Sequence, residues 1–87
     1  KWIDSSSVSD MSYMFCGCHS LKKLDVSGLD TSNVVNMEGM FYWCSKLQTL
    51  DASYFDTSHV INMKSMFDYC SSLKKVGFEF ILYQACN

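Results

Sequence analysis

The side chains best suited to chemistry gather at Cys16-Gly17-Cys18-His19, because thiolates and imidazole are the common ligands of zinc. A closed zinc site needs four converging ligands, and neighbours two apart on a helix face nearly opposite sides. With Cys18 turned inward, Cys16 faces water, and Tyr42 and Asp68 stand at its equivalent positions later in the chain, so no metal is expected. The spacing also departs from haem attachment, which places two residues between the cysteines. Asp25 and Asp51 supply two carboxylates, where calcium takes about six to eight oxygens. His19 and His59 fall at non-equivalent positions and no glycine-rich phosphate loop is present. Nothing assembles a nucleophile, a base and an oxyanion site, so the chain reads as non-enzymatic and without a cofactor.

These residues sit in a repeat. Met-x-x-Met-Phe-x-x-Cys-x-x-Leu begins at Met11, Met37 and Met63, a period of 26, with Val8, Val34 and Val60 ahead of it and Leu24, Leu50 and Val76 behind. A fixed period of this length predicts a solenoid, in which each unit buries its apolar face only by stacking on the next. Cys18, Cys44 and Cys70 recur at one position beside Met and Leu, where a reduced thiol serves as a small hydrophobe. Helices packed side by side lie ~8–10 Å apart and a disulfide needs Cα atoms within about 7 Å, so the ladder is expected to stay as buried thiols. Cys16 and Cys86 escape that rule.

Within a unit, Met37, Met40, Phe41 and Cys44 are spaced i, i+3, i+4, i+7, which predicts a helix of about two turns, capped by Asp10, Asn36 or Asn62 immediately before it. Leu50 and Ala52 then alternate as a short strand, repeated at Leu24-Asp25-Val26 and Val76-Gly77-Phe78, and pairing in parallel between units. Asp30-Thr31-Ser32 and Asp56-Thr57-Ser58 read as turns whose short polar side chains fold back on the local backbone. The expected organisation is one segment over 1–87: a partial coil 1–10, helix–strand units starting near 11, 37 and 63, and a degenerate or capping end at 77–87. Because the apolar ladder still runs at Ile81, the segment reads as a piece of a longer array.

The pattern Leu-x-x-Leu-x-(Val/Ala)-x-x-(Leu/Phe), followed by Asp-(Thr/Ser)-Ser-x-Val and the Met-Phe-Cys motif, resembles the repeats of BspA-like leucine-rich-repeat surface proteins, in particular those of mycoplasma lipoproteins. The resemblance covers residues 3 to 76. It implies an α/β, leucine-rich-repeat-like solenoid with one short parallel strand and one short helix per coil, a cell-surface or extracellular location, and a role in protein interaction or adhesion. It also makes the outward strand face, with Lys23, Asp25, Thr49, Asp51 and Lys75, a candidate binding surface; read without it, that row is a solvated face of mixed sign.

Aromatic residues add a second candidate surface. Tyr13, Tyr42, Trp43, Tyr54 and Tyr69 occupy positions the repeat does not keep apolar, and exposed rings give contact area at low entropic cost. Packing between coils is the alternative for them; Tyr42, Trp43 and Tyr69 join the candidate set. With a net charge of −2 and no Arg among the seven basic residues, nucleic acid is not an expected partner. No apolar run reaches the ~20 residues that span a bilayer. The expected partner is a protein or glycan, with self-association or stacking through the ends of the array; the alternative is a structural subunit buried in a larger assembly.

Overall fold

The computed structural model describes residues 5–76. The expectations for 77–87, with Cys86 and the apolar run from Phe78 to Tyr83, lie outside them, as do those for 1–4. Three parallel strands of two residues each form one sheet in chain order: β1 (Lys23–Leu24), β2 (Thr49–Leu50) and β3 (Lys75–Val76). Lys23 pairs with Thr49 and Thr49 with Lys75; Leu24 pairs with Leu50 and Leu50 with Val76. The register is therefore the sequence period, and Asp10, Asn36 and Asn62 repeat it as single parallel bridges.

The α/β leucine-rich-repeat-like solenoid expected from the pattern is not found. Among the described residues there is no helix, and two-residue strands are too little regular structure for an α/β class or a solenoid to be evident. In place of each helix runs a chain of tight turns. The amides of Met40, Tyr42 and Cys44 donate to the carbonyls three residues back, on Met37, Gly39 and Phe41. The amides between them leave the unit: Gly39, Phe41 and Trp43 donate to Lys64, Met66 and Asp68 of the next. The first unit repeats this with Tyr13, Phe15 and Gly17 donating to Glu38, Met40 and Tyr42. A helix would keep every one of these bonds inside the segment.

Backbone conformation enforces the alternation. Gly39 (φ 58°) is the third residue of the turn from Met37 to Met40, and Trp43 (φ 61°) the third of the turn from Phe41 to Cys44, the positive φ that a type II turn requires there. Such residues cannot propagate a right-handed helix. The expected caps persist in a changed role: Asp10, Asn36 and Asn62 accept from the amides two residues on, at Ser12, Glu38 and Lys64, and so open turns.

At Gly39 a second constraint is steric. A Cβ there would lie 2.3 Å from the Tyr13 ring, which covers this position from the preceding unit. We predict that Gly39→Ala costs about 1–2 kcal/mol, from left-handed strain and displacement of the ring. In a Tyr13→Ala background the cost should shrink toward the strain alone. Chemical denaturation of the four-member cycle checks this, and strict additivity would contradict it.

The core is built from repeat ladders. Phe15, Phe41 and Phe67 stack with centroids 5.6 Å apart and planes 8° and 2° from parallel. Around them Met11, Val34, Met37, Met40, Cys44, Leu47, Leu50 and Met66 are buried. Met14 and Leu21 belong to the same ladders but are 41% and 38% exposed. Hydroxyls clasp the units: Ser5 Oγ and Thr31 Oγ1, both buried, accept from the amides of Asp30 and Asp56 at 2.8 Å and donate to their carbonyls at 3.4 and 3.2 Å. The turn reading holds alongside them, since Asp30 and Asp56 accept from the amides of Ser32 and Ser58.

Candidate functional site

The candidate residues divide between two separate depressions. Lys23, Asp25, Thr49 and Asp51 line the first, of about 410 Å³, together with Leu24, Ser27 and Tyr54. Lys75 extends that row through its backbone pairing with Thr49. Tyr42, Trp43 and Tyr69 line the second, of about 400 Å³.

Sheet register creates the first depression, because residues one period apart must lie side by side. Its carboxylate Asp25 accepts from the Ser27 amide at 2.9 Å, as Asp51 does from Ser53 at 3.0 Å. The Ser27 hydroxyl and then its amide hold the Asp25 carboxyl below its ordinary value, with Asp51 opposing them through like charge. Asp10 and Asp56 are lowered in the same way by the hydroxyls and amides of Ser12 and Ser58. A carboxyl lowered on folding stabilises the fold fully above its unfolded value, near 3.8, and that contribution fades as pH falls through the lower folded values. We therefore expect the melting temperature to drop as pH falls below 3.8, and the drop to flatten in a Ser12→Ala, Ser27→Ala, Ser58→Ala variant. An identical pH profile for that variant would contradict the assignment.

The second depression belongs to a row of rings. Tyr13 meets Tyr42 edge to face at 6.0 Å and 73°, and Tyr42 meets Tyr69 at 5.5 Å and 83°. Tyr13 Oη donates to Glu38 Oε2 at 3.3 Å. Trp43 is 52% and Tyr69 67% exposed, while Tyr42 is half-buried between its neighbours. Tyr13, Trp43 and Tyr69 all have positive φ, at 56°, 61° and 61°. Gly17, with φ 73°, holds the place of Trp43 and Tyr69 in the first unit. Bulky side chains rarely adopt this conformation, and it costs roughly 1–2 kcal/mol at each such residue.

Some contributors were missed in the sequence. His19 packs edge to face on Trp43 at 4.6 Å and shares a hydrogen bond of 2.8 Å between Nδ1 and Ser45 Oγ. The signal was present, since 19 and 45 are one repeat position. Val35 and Ile61 were also overlooked; they adjoin through the Ile61 amide donating to the Val35 carbonyl, and Ile61 is 85% exposed.

The thiols are graded by depth. Cys16 is exposed, Cys18 and Cys70 are half-buried, Cys44 is buried, and all four are free. Cys44 Sγ donates to the Phe15 carbonyl at 3.1 Å and Cys70 Sγ to the Phe41 carbonyl at 3.0 Å. Burial pushes the Cys44 thiol up to about 11 and raises that of Cys70. Units paired as strands lie about 4.8 Å apart and not at helix distance, so spacing alone does not exclude a disulfide ladder. Since the thiolate is the nucleophile, alkylation at neutral pH should label Cys16 first and Cys44 last, read by mass spectrometry over time. Equal rates at the two sites would contradict the burial order. Among the described residues no three His, Cys, Asp or Glu side chains converge to hold a metal, and no helix is long and apolar enough to cross a membrane.

The described residues form a run of repeated turns that carries a row of rings. The chain belongs to the family described as "Mycoplasma protein of unknown function, DUF285", which it matches over residues 1–82. No match is found among curated proteins or among solved structures.

Proposed function

We propose that the chain is a non-enzymatic binding module, of the protein-interaction or adhesion kind, belonging to a repeat-containing protein displayed at the cell surface. Its contact face is the row Tyr13, Tyr42, Tyr69 with Trp43. The observation that carries the reading is where these rings stand. Tyr13, Trp43 and Tyr69 hold left-handed backbone positions that Gly39 and Gly17 fill elsewhere in the repeat without strain. Strain of this kind gathers at functional sites, and large exposed rings that gain little from burial in their own fold are suited to a partner. The likeness to BspA-like surface proteins supports the location. The test is an array of host-surface glycans and proteins probed with the chain and with a Trp43→Ala, Tyr69→Ala variant. Binding that the double substitution removes, with the melting temperature held, is expected; binding indifferent to it would sink this face.

A second reading, a structural part packed within a larger assembly, draws on the edges of the stack. Met14 is 41% exposed where its equivalent Met40 is fully buried, an apolar side chain that a partner surface would cover. Sedimentation would separate the two readings: association that Met14→Lys abolishes favours assembly.

A further inference from the structure

We infer that Tyr42, Trp43 and Tyr69 form a receptor for a quaternary ammonium group, the trimethylammonium of a choline-type ligand. The inference rests on the proposed binding face and names what that face takes. Tyr42 and Tyr69 stand at 83° to one another with centroids 5.5 Å apart, so their planes make a corner, and Trp43 completes a depression lined by these three residues. Aromatic faces carry negative potential and attract a cation lying within about 6 Å of the ring centroid, most strongly at Trp.

Three features select a methylated cation over other ligands. Ring surface dominates the lining, and the side-chain hydrogen-bonding groups it offers among the described residues are the phenol oxygens and the indole N–H. A bare ammonium or metal ion is strongly hydrated and gains less from ring contact than it would lose in hydration. A trimethylammonium is weakly hydrated and apolar on its outside while still charged, which is the combination this corner accepts. The surroundings agree in sign. Among the described residues no basic side chain lines the depression, with His19 packed on Trp43 beside it, and exposed Asp68, whose carbonyl accepts from the Trp43 amide at 2.8 Å, lies next to it in a chain of net charge −2. The backbone agrees as well, since Trp43 and Tyr69, two of the three lining residues, occupy the strained position that Gly17 fills in the first unit.

The test is an NMR titration of the whole chain with tetramethylammonium, phosphocholine and the uncharged isostere 3,3-dimethylbutan-1-ol. Saturable shifts of the Trp43 indole and the Tyr42 and Tyr69 rings are expected, at about millimolar affinity for so open a site. The isostere, with the same shape and no charge, should bind about tenfold more weakly. Trp43→Ala and Tyr69→Ala should each weaken tetramethylammonium binding several-fold while the remaining amide shifts stay in place; Trp43→Phe should restore part of it. Co-sedimentation with phosphatidylcholine vesicles distinguishes a lipid headgroup from soluble phosphocholine as the source. Equal binding of the neutral isostere, or no saturable shift with either cation, overturns the inference. A protein or glycan ligand lost in the Trp43→Ala, Tyr69→Ala variant, together with indifference to tetramethylammonium, would overturn this assignment and leave the binding face intact. Failure of both would end both.

Discussion

Phe41→Ala is expected to remove about 3–5 kcal/mol of stability, enough to unfold a chain this short. Phe41 is fully buried and stacked on both sides, against Phe15 and Phe67, with Phe55 beside it at 6.5 Å. Truncation would leave a void in the middle of the phenylalanine row, where its neighbours are pinned by backbone bonds between units and cannot collapse inward. Phe41→Leu should recover more than half of the loss. Thermal denaturation followed by near-ultraviolet circular dichroism measures both variants, and an Ala variant melting with the parent would refute the core register.

Thr31→Val is expected to cost about 1–3 kcal/mol although it alters neither shape nor volume much. The buried Thr31 hydroxyl serves both polar groups of Asp56, accepting from its amide at 2.8 Å and donating to its carbonyl at 3.2 Å. A methyl in its place leaves an amide and a carbonyl without their partner. Thr31→Ser keeps the hydroxyl and should behave nearly as the parent, as Ser5 does in the preceding unit against Asp30. If the Val variant melts with the parent while the Ser variant is destabilised, methyl packing and not the clasp is what matters.

The ladders were legible because burial follows period. Met37, Met40, Phe41, Cys44, Leu47 and Leu50, picked out by recurrence alone, are all core residues, and the parallel pairing of one strand per unit follows from the same spacing. The helix was not legible, because i, i+3, i+4, i+7 marks equally well the inward corners of consecutive three-residue turns. A contrary sign was available: Gly17 and Gly39 lie inside the supposed helices, each at a cost of about 1 kcal/mol relative to Ala. Strand length was overread for a related reason. Alternation at Leu50 and Ala52 describes which side chains point inward, whereas only Thr49–Leu50 keeps a ladder before the Asp51 carboxylate closes a turn on the Ser53 amide. For the candidate site, the exposure of Tyr13, Trp43, Tyr54 and Tyr69 could be anticipated from their departure from the repeat. The left-handed backbone of Tyr13, Trp43 and Tyr69 could not, since aromatic residues carry no local preference for it.

Alternate amides of the Met-Phe-Cys motif leave their own unit for the next. Phe41 distinguishes the two possibilities at a single bond, because its amide donates to the Met66 carbonyl at 3.1 Å, whereas a helix would direct it to Met37. Scalar coupling across hydrogen bonds, measured by NMR on the isotopically labelled chain, reports the acceptor directly. The predicted result is coupling from the Phe41 nitrogen to the Met66 carbonyl carbon; coupling to the Met37 carbonyl carbon would contradict it.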